Sequence, residues 1–307
     1  MKAIYFRRFG GPEVLDYGDL PDPAPAPGEV VVDIHAASVN AADWKMRGGE
    51  YAALRDFPHV LGRDFSGVVS ALGDGARDFK VGDEVFAVCE VPREGAYAEK
   101  IAIRQAIVAR KPAKLSHAQC TAVALAGLTA VVSLEDTLKL QKGETILIQG
   151  GAGGVAGFAI ALAKHLGARV ITTASAANHA YVRSLGAHEM IDYRTQDFTK
   201  LVSGCDAVFD TVGGEVTAKS FAVLRPGGRL ASVAAGASAP PSPRADVTSL
   251  RPKVNRDRPH LDRVAELVTK GIVPLPEIVE YPLAKAADAH RVSEARHLRG
   301  KLVLRVR

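Results

Sequence analysis

The residues best suited to chemistry run from Gln149 to Gly157, as Gln-Gly-Gly-Ala-Gly-Gly-Val-Ala-Gly. Gly151, Gly153 and Ala156 spell G-x-G-x-x-A. The motif alone is weak in a chain with 29 glycines, but here it follows the apolar run Thr145–Gln149 and opens an apolar helical stretch. In that setting glycine permits a tight turn and lets backbone approach a pyrophosphate without a Cβ clash. The helix start adds free N–H groups and the positive end of its dipole. Gly150, Gly151, Ala152, Gly153, Gly154 and Val155 are therefore the candidate contacts to a dinucleotide diphosphate, and a small Ala156 suits close helix–strand packing. A purely structural glycine turn is the alternative.

The next run, Ile171-Thr-Thr-Ala-Ser-Ala-Ala-Asn178, lies where an NAD site carries Asp or Glu for the ribose. It has no acid. A carboxylate would repel a 2′-phosphate, whereas hydroxyl and amide groups donate to it. Ser175 and Asn178 are the candidate donors, with Tyr193 or Arg194 reaching from beyond the next strand. The expected cofactor is NADPH. Ser175 is also suited to capping the next helix.

Other polar residues speak for less. The three cysteines, Cys89, Cys120 and Cys205, are odd in number and far apart, which excludes a disulfide framework and fits a reducing compartment. The nine histidines show no metal-ligand spacing. Lysine and arginine exceed aspartate and glutamate by 39 − 34 = 5, and the excess is scattered except over Arg244 to Arg263, where Asp246, Asp257 and Asp262 are interleaved. A mildly basic solvated surface is the expectation, with nucleic acid as the alternative partner. The N-terminus lacks a signal-peptide layout, and the most apolar run, Ala122 to Leu134, reads as too short to cross a bilayer. A cytoplasmic protein with no membrane partner is expected.

The elements that must position these groups fall into two styles. Short alternating runs with Gly and Pro punctuation fill the first third: Val30 to Ile34, Phe65 to Leu72, Val85 to Val88 and Tyr97 to Ile103. They suggest a small barrel-like β-domain. From Ser116 the chain turns helical, then alternates: strands Thr145–Gln149, Arg169–Thr173, Ala207–Phe209 and Arg229–Val233, with helices Val155–Leu166, around Tyr181–Leu185 and around Ala218–Leu224. Such alternation predicts a Rossmann-type, doubly wound parallel sheet. Residues 236–260 read as loop, followed by helices His260–Thr269 and Ala284–Glu294 and a strand Lys301–Val306. With 307 residues, two domains are expected.

Many spaced motifs together resemble the medium-chain dehydrogenase/reductase superfamily, in its zinc-free, quinone oxidoreductase-like branch. They include Phe9-Gly-Gly-Pro-Glu-Val-Leu15, Ser38-Val-Asn-Ala-Ala-Asp-Trp-Lys45, Gly62-Arg-Asp-Phe-Ser-Gly67 and Val81-Gly-Asp-Glu-Val85. Further on come Ala126-Gly-Leu-Thr-Ala130, Asp210-Thr-Val-Gly-Gly214, Leu224-Arg-Pro-Gly-Gly228 and Gly300-Lys-Leu-Val-Leu304. The resemblance covers almost the whole chain. It implies an α/β protein whose GroES-like β-barrel catalytic domain is formed from both chain ends (1–117 and the returning segment 257–307), with the NADPH-binding Rossmann domain over 118–256 inserted between them. It also implies a homodimer, since relatives pair edge strands.

The resemblance bears on the reaction too. Zinc relatives carry cysteine where Asn40 stands and histidine where Arg63 stands, and the structural-zinc loop is missing between Glu90 and Glu99. Neither Asn40 nor Arg63 makes a plausible zinc site, so no metal is expected. Without a Lewis acid, an already electrophilic acceptor is the fitting substrate: a quinone or an α,β-unsaturated carbonyl compound, whose oxyanion needs only donors. Lys45 and Tyr51 are the catalytic candidates. Asn40, Thr129 and Lys301 match positions that contact the nicotinamide end in relatives. Asp43 and Asp64 are expected to act structurally, and Trp44 to pack. Many NADPH-using relatives have lysine where this chain has Asn178. The competing reading is a non-catalytic NADPH-sensing or nucleic-acid-binding protein on the same fold.

Overall fold

The computed structural model describes residues 1–50, 56–234, 236 and 238–307. The chain divides into two compact units. Unit 1 holds Met1–Leu125, Arg256–Thr269 and Glu277–Arg307, and unit 2 holds Ala126–Asn255 and Lys270–Pro276.

Unit 1 opens with strands β1 (Lys2–Phe6), β2 (Asp16–Asp19) and β3 (Glu29–Ser38), then helix α1 (Ala41–Arg47). Strands β4 (His59–Val60), β5 (Asp64–Leu72), β6 (Glu84–Val88), β7 (Lys100–Arg104) and β8 (Val108–Arg110) follow. Its organising strand is β3. Along one edge it pairs with β5 over most of its length; along the other, β7 takes Glu29–Asp33 and the C-terminal strand takes Ala36–Ser38. Breaks in register at Val31/Val32 and Ile34/Ala36 bend it. The apolar residues Val30, Val32, Ile34, Phe65, Val85 and Leu304 are buried in one core. Tyr97 to Ile103 was expected to be a single strand, but β7 starts only at Lys100. Before it, Tyr97 and Glu99 make backbone bonds to β1 and β3 instead.

Helix α2 (His117–Val131) crosses from one unit's residues to the other's. Ser116 caps it reciprocally with Gln119: the Gln119 N–H donates to Ser116 Oγ (3.1 Å) and the Ser116 N–H to Gln119 Oε1 (2.9 Å). A π-helical turn, Val132–Thr137, extends it. The helix thus reaches 21 residues, and by length and composition alone it is long and apolar enough to cross a membrane, which corrects the shorter reading of its apolar run. Of its most apolar window, 83% is buried inside the protein, as in a core helix.

Unit 2 alternates β9 (Thr145–Gln149), α3 (Gly154–His165), β10 (Arg169–Thr173), α4 (His179–Leu185), β11 (Glu189–Ile191), α5 (Phe198–Leu201), β12 (Cys205–Asp210), α6 (Glu215–Ser220), β13 (Leu224–Ser232) and β14 (Thr248–Leu250). The sheet order is β11-β10-β9-β12-β13-β14, all parallel. That is the doubly wound order, with its switch point beside β9. Central strands are buried on both faces, hence the unbroken Ile146-Leu147-Ile148. Strand β14 lies in the segment read as loop. Three residues flanked by prolines carry too little periodicity to announce a strand, and it forms because β13 offers an open edge.

Unit 1 resumes with α7 (Arg258–Thr269), β15 (Ile278–Pro282), α8 (Ala286–Glu294) and β16 (Lys301–Arg305). Strand β15, which the sequence did not announce, runs parallel to β16, and β16 runs antiparallel to β3.

Candidate functional site

In unit 2 the glycine turn leaves the C-terminal end of β9 and enters α3. Gly150 sits at φ +76°, a backbone region that favours glycine. A Cβ on Gly151 would fall far inside van der Waals contact with Thr172 Oγ1 of β10. Thr172 cannot yield freely, because its hydroxyl donates to the Ile148 carbonyl (2.6 Å). Thr173 completes the frame: its hydroxyl accepts the Gly150 N–H (3.1 Å) and donates to Gln149 Oε1 (2.6 Å), while its carbonyl accepts the Gly151 N–H (2.9 Å). Gly153 is the N-cap of α3, so Ala152 lies in the turn while Gly154 and Val155 open the first helical turn, whose N–H groups have no intrahelical partner. Ala156 is buried, in keeping with tight packing. The neighbouring β12–α6 turn is built by Asp210. Its carboxylate accepts the N–H groups of Val212 (2.9 Å) and Gly213 (3.2 Å) and the hydroxyls of Ser232 (2.9 Å) and Thr217. Thr172, Thr173 and Asp210 were not singled out as site residues from the sequence. The Asp-Thr-Val-Gly-Gly motif was the available signal for the last.

Beyond β10, Ser175 is buried and Asn178 half-buried, with Asn178 Nδ2 donating to Ser175 Oγ (3.2 Å). Ser175 makes no side-chain cap bond to the following turn, so the expected capping role is corrected. Tyr193 is 50% exposed, with the Arg194 guanidinium 5.9 Å from its ring centre. Thr129 is buried in α2.

In unit 1 the polar residues cluster where β3 ends. Strands β5 and β16 flank β3 there, so Asp64 and Lys301 approach Asn40 from either side. The Lys301 ammonium donates to the Val39 carbonyl (3.0 Å) and Asn40 Oδ1 (2.7 Å). Asn40 Nδ2 donates to Asp64 Oδ1 (3.1 Å) and to Ser38. Asp64 also accepts the Ser38 hydroxyl (2.7 Å) and the Leu125 N–H (3.1 Å). Burial pushes the Asp64 carboxyl up and the Lys301 ammonium down, and each opposes the other's shift. The bonds donated to Asp64 favour its carboxylate form.

Asp43 accepts the Asn40 N–H (2.8 Å) in the first turn of α1, and also the Tyr97 hydroxyl (2.9 Å). Burial pushes it up to about 7 despite the nearby Arg63. Arg63 pairs with Glu94 (3.2 Å). Trp44 packs, with Nε1 donating to Ser293 Oγ (3.2 Å). Half-buried Lys45 stands 3.9 Å from the Glu50 carboxylate, too long for a hydrogen bond. Tyr51 lies outside the described residues.

Comparison with known proteins follows this geometry. Residues 26–113 match the family model of the alcohol dehydrogenase GroES-like domain, and residues 185–304 that of zinc-binding dehydrogenases. A quinone oxidoreductase of Pseudomonas aeruginosa is 33% identical, over 99% of this chain and 99% of the relative. The chain belongs to the medium-chain dehydrogenase/reductase superfamily. Within its quinone oxidoreductase-like branch, an NADPH-dependent alkenal/one oxidoreductase of Arabidopsis thaliana, described as chloroplastic, is 34% identical over 99% of this chain and 79% of the relative. The solved Escherichia coli quinone oxidoreductase complexed with NADPH superposes with a TM-score of 0.92 at 28% identity, over all of both chains.

One of these family models is described as zinc-binding, and the donor set of this dehydrogenase/reductase does not fit zinc. Asn40 Oδ1 accepts from an ammonium, and Arg63 brings a second fixed cation close to Glu94. Among the described residues no group of three or more His, Cys, Asp or Glu is placed to hold a metal ion.

Proposed function

We propose that this chain is a zinc-independent oxidoreductase that passes hydride from NADPH to a quinone or an α,β-unsaturated carbonyl compound. The observation that carries the reading is the acid-free cradle, with Gly151 locked beneath Thr172 and hydroxyl and amide donors, not a carboxylate, after β10. Gly150, Gly151, Ala152, Gly153, Gly154 and Val155 would hold the diphosphate. Ser175, Asn178 and Tyr193 would receive the 2′-phosphate, and Asn40, Thr129 and Lys301 would face the nicotinamide end. When bound, NADPH supplies the hydride.

The chain's own task is then to stabilise the substrate oxyanion and deliver a proton. Among the described residues the Lys45 ammonium has only the Glu50 carboxylate as an ion-pair partner, at 3.9 Å and without a hydrogen bond, so its donors are available for both tasks. Tyr51 is the second candidate. Asn40 enters with its amide already committed to Lys301, Asp64 and Ser38, and Lys301 with two of its three donors used.

The basic stretch does not support nucleic acid as the partner, because its arginines serve the fold. Arg244 bonds Asp246 and the carbonyls of Phe221 and Leu224, and Arg251 bonds the Ser232 carbonyl. Arg256 bonds the Cys89 carbonyl, and Arg258 bonds Asp78 and the carbonyls of Gln105 and Val108. The three free, buried cysteines suit a cytoplasmic protein, and we take it to be a homodimer, as the resemblance to the superfamily implies.

The test is NADPH oxidation against a panel of quinones and enones, with NADH in parallel and a strong chelator present. Turnover that survives the chelator and falls at least tenfold in Lys45→Ala or Tyr51→Phe is the expected result. No turnover, with no shift of melting temperature on adding NADPH, would overturn the reading.

A further inference from the structure

Helix α1 has seven residues, too few to be stable by itself, so whatever it packs against decides where it stands. Its inward face carries Asp43 and Arg47, four residues apart and both buried. The two are joined through residues from distant parts of unit 1. Arg47 Nη1 lies 2.8 Å from His290 Nδ1 in α8, His290 Nε2 lies 3.3 Å from the Tyr97 hydroxyl, and that hydroxyl donates to Asp43 (2.9 Å). Tyr97 and His290 are completely buried.

Only one direction of donation satisfies this circuit. A guanidinium has no acceptor, so His290 Nδ1 must accept and the ring proton must sit on Nε2. Nε2–H then donates to Tyr97, whose own proton goes to Asp43, and Asp43 is also the acceptor for the Asn40 N–H. Burial and the adjacent Arg47 push His290 down to about 3, so the neutral ring that this direction requires is its resting form. Two more bonds from α8 reinforce the hold: Glu294 pairs with Arg47, and Ser293 accepts the Trp44 indole N–H (3.2 Å). Arg47 Nε also ties the Gly10 carbonyl (3.0 Å).

We propose that Tyr97 and His290 are positioning residues for the reaction, closing a buried hydrogen-bonded ring with Asp43 and Arg47 that sets the place of α1 and therefore of Lys45. The inference rests on the role assigned to Lys45 above. Loss of the ring shifts α1, and a displacement of about 1 Å at a reacting group can cost about 100-fold in rate.

The experiment uses full-length Tyr97→Phe, which removes one hydroxyl, together with His290→Gln and His290→Ala. Each is paired with Lys45→Ala, with NADPH-induced melting shifts showing that unit 2 still binds. Expected in Tyr97→Phe is a 10- to 100-fold fall in kcat (about one to two decades) with KM for NADPH unchanged. The emission of Trp44, the only tryptophan, should also shift. His290→Gln, which keeps an acceptor and a donor, should retain more activity than His290→Ala.

On the Lys45→Ala background, Tyr97→Phe should cost nothing further, because both changes remove the same contribution. Full multiplicative loss on that background, or unchanged kcat in Tyr97→Phe, would overturn the inference. If Lys45→Ala itself leaves turnover intact, the role of Lys45 fails first, and the wild-type assay distinguishes that from a failure of the whole functional reading.

Discussion

In unit 2 the bonds that frame the glycine turn join residues 22 to 24 apart, between β10 and the end of β9 with the turn that follows it, whereas in unit 1 the ring around α1 joins residues 54, 193 and 243 apart. The first frame is largely backbone and threonine, neutral throughout. The second is made of charged and titratable groups removed from water. A backbone cradle needs only small residues and a strand–turn–helix order. A buried charge needs a partner, and breaking such a set by removing one member leaves an uncompensated group. Substitutions in the two units should therefore fail differently: in unit 1 through stability and geometry, in unit 2 through close packing and ligand affinity.

The largest effect is expected at Lys301. Lys301→Met removes the cation opposing buried Asp64 and should destabilise by about 3 kcal/mol in denaturant unfolding. Adding Asp64→Asn should recover much of that loss, and an equally unstable double variant would mean that the charges do not depend on each other.

Next is Gly151→Ala, which drives a methyl group into Thr172. A loss of about 2 kcal/mol is expected from overpacking. Thr172→Ala in the same chain should relieve it, leaving Ile160 to give by a few tenths of an ångström. A single variant as stable as wild type would break the account of the turn.

A smaller effect separates the units by pH. His290 titrates near 6.5 when unfolded but is held down to about 3 when folded. Protons therefore favour the unfolded chain, and the contribution of neutral His290 is full above pH 6.5 and shrinks as the pH falls towards 3. The stability advantage of wild type over His290→Gln should narrow by about 1.4 kcal/mol between pH 7.5 and pH 5.5. A constant gap, read from Trp44 emission during unfolding, would mean that His290 is not held neutral.

The smallest is Asn178→Asp. A carboxylate there should weaken NADPH about fivefold (roughly 1 kcal/mol) and leave NADH unchanged. Equal weakening of both cofactors would remove Asn178 from recognition of the 2′-phosphate.

Much of unit 2 could be read in advance, because the run Thr145–Gln149, the glycines and the helix after them announce themselves within a dozen residues. Most boundaries moved by a residue or two, but β13 begins at Leu224, five residues before the expected Arg229, and α6 ends at Ser220 rather than Leu224; β14 escaped notice because three residues cannot display a period. In unit 1 the strands were visible, but the bonding was not. Asn40 could be recognised as polar and well placed. That Lys301 would hold its oxygen and Asp64 its nitrogen could not, since each comes from a different strand. Neither Tyr97, read only as the start of an alternating run, nor His290 was singled out as a site residue, because a tyrosine in a strand-like run and a histidine on a helix are ordinary core residues until their neighbours are known.

Sequence alone determined the alternation of strands and helices and the turn that only glycine permits, because both follow from conformational preferences acting over a few neighbouring residues. Tertiary structure decided which charges meet. Hydropathy says whether a side chain is withdrawn from water, but the partner that makes withdrawal tolerable is chosen by how distant strands and helices pack.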